Sequence, residues 1–88
     1  MIQPPSTKIA FALPEAGEVR LTIYDLKGNV VKKLVSGRYA SGWHEMEWNG
    51  RNRAGEQVAA GAYFYRLTVQ REYGQAEVVL TKKLTFLK

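Results

Sequence analysis

Hydrophobic and polar residues alternate along most of this chain with a period of two, the signature of β-strands that bury one face. Thr7 to Leu13 places Ile9, Phe11 and Leu13 on one parity and Lys8, Ala10 and Ala12 on the other. Pro14 ends that strand. Glu18 to Asp25 repeats the pattern, with Val19, Leu21 and Ile23 inward, and runs into Asp25-Leu26-Lys27-Gly28. This reads as a tight turn, because the Asp side chain can bond its own backbone and the Gly accepts positive φ. Asn29 to Val35 is then the return strand, and Ser36 to Gly42, rich in Gly and Ser, reads as a loop. Trp43 to Trp48 alternates without saying which parity faces inward. Asn49 to Gly55 has no apolar periodicity and reads as a loop. Ala62 to Arg71 is the strongest strand, with Tyr63, Tyr65, Leu67 and Val69 in phase. After a turn at Glu72 to Gln75, Ala76 to Lys88 returns with Val78, Leu80, Leu84 and Phe86 in phase, broken only by Lys82.

No segment repeats apolar residues at helical spacing over three turns. Turn signals arrive every 8 to 15 residues, a cadence that predicts an all-β, antiparallel immunoglobulin or fibronectin III-like β-sandwich of about seven strands. Tyr63, at the start of a late strand, is placed to close a corner of such a fold through its hydroxyl. The reading assigns residues 1–6 to a linker or a remnant of excision and residues 7–88 to the domain.

The 88 residues and 45% hydrophobic content allow one thin core. There is no cysteine and one histidine, so neither a disulfide framework nor thiolate or His-rich metal chemistry is available. The net charge of +5 is uneven: residues 1–49 hold six Lys/Arg against five Asp/Glu, and residues 50–88 hold seven against three. The tail is the basic part. Met1 to Ser6 lacks the layout of a secretory signal, and no apolar run has the length of a membrane helix.

The segments Pro5 to Pro14 and Val19 to Gly28 resemble the start of the type A C-terminal sorting domains of the type IX secretion system. So do Gly42-Trp43-His44, Trp48-Asn49-Gly50-Arg51-Asn52, Gly55, Gly61 to Leu67 and the closing Lys82-Lys83-Leu84 to Lys88, in the same order. The related Ig-like domain of the flagellar hook-capping protein shares most of these motifs. The resemblance implies a non-catalytic C-terminal secretion, sorting and cell-surface attachment module of a larger secreted protein. Its implied partners are the outer-membrane secretion translocon, cell-surface anchoring components and the parent protein's preceding domain. Its implied location is secreted, at the cell surface, after passage through the periplasm. Two alternatives stand beside it: a carbohydrate-binding or spacer module of a secreted hydrolase, and a structural Ig-like domain of a hook-capping protein.

On this reading Lys82, Lys83, Leu84, Phe86 and Lys88 form a recognition strand, in which main-chain bonds give affinity and the lysines orientation. The bland alternative is an edge strand guarded by lysine. Trp43, Trp48 and Tyr39 are a possible aromatic platform for sugar rings, set against the need of a small core for large aromatics. Asn49 to Gly55 spaces side-chain oxygens as a calcium loop does, but its amides are neutral and two arginines stand between them, so no metal is expected. His44 and Glu45 point to opposite faces of a strand. Glu45 and Glu47 share a face without a cleft, so no catalytic residue, cofactor or nucleic-acid partner is expected.

Overall fold

The computed structural model describes residues 6–71 and 77–87. Within them lie six strands: β1 (Thr7–Leu13), β2 (Gly17–Tyr24), β3 (Val30–Tyr39), β4 (Gly42–Trp48), β5 (Gly61–Arg71) and β6 (Val78–Phe86). All pairings are antiparallel. β1 pairs with β4 in one sheet, and the other sheet has the order β3-β2-β5-β6. The described residues thus hold six strands in two sheets, one fewer than the count expected from sequence. The predicted turn at Glu72 to Gln75 lies outside them, as does Lys88.

One core draws on both sheets. Ile9, Phe11 and Leu13 from β1 and Trp48 from β4 meet Val19, Leu21 and Ile23 from β2, Tyr63, Leu67 and Val69 from β5, and Leu84 and Phe86 from β6. These are the in-phase residues of the alternating pattern. In β4 the parity left open by the sequence resolves cleanly: Trp48 is inside with Met46 and His44 half-buried, and Trp43, Glu45 and Glu47 are exposed.

Strand β3 departs from the expected pattern in two ways. It continues through Ser36, Gly37, Arg38 and Tyr39, which pair with Arg20, Val19, Glu18 and Gly17. The predicted loop therefore shrinks to the sharp return around Ala40 and Ser41, because the length of β2 offers a ladder that outweighs the local turn preference of Ser and Gly. Its register with β2 also shifts twice, between Leu21 and Thr22 and between Ile23 and Tyr24. Simple alternation would carry Lys33 to the face of Val31 and Val35. The first shift skips Leu34 and sets Lys33 opposite the outward Thr22, while Val31 and Val35 stay buried.

Close approach fixes one further position. A Cβ on Gly17 would sit 2.8 Å from the carbonyl oxygen of Gln70, so β2 and β5 meet there at a distance that only glycine permits.

Candidate functional site

Two loops with the same bonding pattern flank the core. In the first, Asp25 accepts the Gly28 N–H at its main-chain oxygen (3.0 Å) and donates its own N–H to Asn29 (3.0 Å). Its Oδ1 accepts the N–H of Lys27 and of Asn29, both at 2.9 Å. In the second, Asn52 accepts from Gly55 (3.0 Å), donates to Glu56 (2.9 Å), and its Oδ1 accepts from Ala54 and Glu56, both at 3.0 Å. Gly28 and Gly55 both take positive φ, at 89° and 81°. The oxygens that the sequence spaces like a calcium loop are thus spent on the loop's own amides. The difference is charge. The Asn29 N–H, ahead of the other contacts with Asn29 and Lys27, holds the Asp25 carboxyl below its ordinary value.

The second loop also seals one end of the core. Trp48 is 0% exposed and its Nε1–H donates to the Arg51 carbonyl at 3.0 Å. Its ring meets Tyr63 edge-on at 5.2 Å and Phe86 at 5.3 Å. Gly50, with φ 74°, packs against the tip of the Phe86 ring, where a Cβ would overlap the ring atoms. The Tyr63 hydroxyl donates to the Ala59 carbonyl at 2.6 Å, the corner anticipated from its place in the strand. Burial first, and the Asp25 charge second, push this phenol above its ordinary value, so it remains a donor at neutral pH.

The opposite end of β6 is bare. Val78 and Leu80 share the face of Leu84 and Phe86, but Leu80 is 40% exposed where Leu84 is 8%. The expectation that Val78 and Leu80 belong to the core is therefore corrected. A groove of about 440 Å³ opens there, lined among others by Ala10, Leu13, Trp43, Leu67, Val69 and Leu80, with Lys82 at its rim. Trp43 stands 68% exposed beside it. β1 and β6 meet at the other end, where the Thr7 hydroxyl donates to the Thr85 carbonyl at 3.4 Å.

The residues of the expected recognition strand consequently separate. Lys82 and Lys83 are exposed, Leu84 is buried, and Phe86 is 0% exposed and sealed by Trp48 and Gly50; Lys88 lies outside the described residues. The aromatic platform is not assembled either. Trp48 is core, Trp43 is at the groove, and half-buried Tyr39 stacks edge-on with Phe11 at 6.1 Å and with His44 at 5.2 Å. His44 itself sits 2.8 Å from the Ala40 carbonyl through Nε2. Sequence reasoning missed the groove and the paired Asp25 and Asn52 loops, although the shared spacing of Asp25 to Gly28 and Asn52 to Gly55 was there to see.

The FlgD Ig-like domain model matches residues 5–75. Among solved structures, FlgD from P. aeruginosa superposes with a TM-score of 0.74 at 24% identity, covering 91% of this chain and 61% of that one. FlgD from Xanthomonas campestris, described for its part in the hook capping essential for flagellar assembly, gives 0.73 at 30% identity, covering 94% of this chain and 57% of that one. The chain therefore spans about three-fifths of the length of either FlgD structure. No curated protein matches. These findings overturn the sorting-module expectation, and with it the secretion translocon, the anchoring components and a secreted parent protein as partners, and a secreted cell-surface location. The shared order of motifs does not tell the two families apart, because motifs within it serve the fold: Gly50 clears Phe86, Asn52 and Gly55 close a loop, and Tyr63 closes a corner. On the match across residues 5–75, the chain belongs to the FlgD Ig-like domain family.

Proposed function

We propose that this domain is a non-catalytic structural module of a flagellar hook-capping protein, exported with it to the hook. The observation that carries the reading is the family match over residues 5–75, joined to 30% identity with X. campestris FlgD over 94% of the chain. In this reading the two sheets face each other as a sandwich of two and four strands, residues 7–88 form the domain and residues 1–6 a linker to it. The chemistry of the surface agrees with a passive role. The carboxylates Glu45 and Glu47 lie open on β4 opposite Ala10 and Lys8, with no enclosed cleft around them, and the sole histidine is held between aromatic rings.

The test is domain replacement. In an X. campestris strain lacking FlgD, the gene is restored with its Ig-like domain exchanged for residues 6–87 of this chain. Hooks visible by electron microscopy and recovered swimming are the expected result. A chimera that accumulates to normal levels and is exported, yet leaves cells without hooks, overturns the reading.

A further inference from the structure

Among the described residues β6 pairs with β5 on one side only, so from Val78 to Lys83 its other side presents main-chain N–H and C=O groups that no described strand pairs. Lysine commonly guards such an edge, and Lys82 and Lys83 are here. The guard is selective. Glu77-Val78-Val79-Leu80-Thr81-Lys82-Lys83 is close to self-complementary when read against itself in the opposite direction.

We propose that this edge pairs with the same edge of a second copy of the chain, antiparallel about a two-fold axis normal to the sheet, joining two four-stranded sheets into one of eight strands. Such an axis keeps each face of the sheet continuous, so Leu80 is able to face Leu80 of the second copy, but it never faces Val79 or Thr81. In the register centred on Leu80, Val79 faces Thr81, Val78 faces Lys82 and Glu77 faces Lys83, each pair occurring twice. The Glu77 to Lys83 pairs fall on the outer face, and all these side chains are exposed in the single chain. Opposite charges directly across a strand pair attract, and like charges there repel.

Neighbouring registers lose this match. Moving the centre to Thr81 sets Glu77 opposite Thr85, and moving it to Lys82 sets like charges face to face. Moving it to Val79 sets Glu77 opposite Thr81 and leaves neither lysine opposite an acid. The inner face has a use for the same register. Val78 and Leu80 of the second copy enter the groove of about 440 Å³ between β1 and β6, where the small Ala10 and Ala12 leave room. The stem of Lys82 lies along Val78 while its ammonium stays in water. One added strand pair buries less than the roughly 1,200 Å² of a standard interface, so the dimer is weak and depends on concentration.

The test is sedimentation equilibrium of the 88-residue chain at low ionic strength, with circular dichroism to confirm that each variant is folded. The wild type is expected to move from monomer to dimer mass as concentration rises. Glu77→Lys alone and Lys83→Glu alone turn two attractions into two repulsions, and each is expected to weaken association roughly tenfold. An equimolar mixture of the two single variants pairs Lys with Glu at both ends, and is expected to recover association as a heterodimer. A wild type that stays monomeric at millimolar concentration, single variants that associate like the wild type, or a mixture no better than its components would each overturn the proposal.

Discussion

Leu84 and Leu80 lie on the same strand, on the same face, four residues apart, and their fates are opposite. Around Leu84 the chain closes: Phe86 is covered by Trp48 and the backbone of Gly50, and Tyr63 ties the start of β5 to Ala59. Around Leu80 the cover stops short of β6: its neighbours on β5, Leu67 and Val69, are buried, while Leu80 and Val78 on the outer strand are left open. The same alternation thus yields core at one end and an open groove at the other. What differs is whether a second layer is present to receive the side chain. Burial, rather than hydrophobicity, converts a period-two pattern into stability.

The largest effect is expected where the closed end has no slack. Gly50→Ala combines a positive φ with a Cβ inside the Phe86 ring, and should cost about 3 kcal/mol or more, read as a drop in urea midpoint or as failure to fold. The comparison itself is sharpened by truncating the two leucines in parallel. Leu84→Ala should lose about 2–4 kcal/mol and Leu80→Ala less than about 1 kcal/mol, measured at a protein concentration low enough to exclude self-association. Tyr63→Phe keeps the ring against Trp48 but removes the bond to Ala59. Chemical denaturation should show a loss of about 1 kcal/mol.

The smallest effect concerns the two matched loops, which form a natural experiment on charge. Asp25 has a folded-state value lower than its unfolded one, so its contribution to stability is complete above the ordinary carboxyl value of 3.8 and is lost as pH falls through the lowered one. The Asn52 loop, with the same bonds to main-chain amides, has no proton to take up. Asp25→Asn should therefore flatten the acid limb of the stability curve, whereas Asn52→Asp should steepen it. Thermal melts from pH 5 to pH 2 distinguish the two slopes, and identical acid limbs in all three proteins would contradict the assignment.

Much of this architecture was legible because every strand except β4 shows its inward parity and most turns their residue types. The Asp25 turn and the Tyr63 corner follow from local chemistry alone. The extension of β3 was not legible, since Ser36, Gly37, Ser41 and Gly42 carry a turn signal that only the long partner β2 overrides. Nor was the bareness of Val78 and Leu80, because periodicity tells which side chains share a face and is silent on what lies opposite. The candidate surface suffered most. In the sequence Phe86 belongs to the expected recognition strand, yet the glycine that seals it stands far away, at position 50.

Amide hydrogen exchange along β5 and β6 compares the two ends in a single sample. With β6 covered at one end only, its pairing at Leu84 with Tyr63 should open only with the whole domain, and its pairing at Val78 with Val69 should exchange faster by orders of magnitude through local fraying. Equal protection along the full length of both strands, or stronger protection at Val78, would contradict the account.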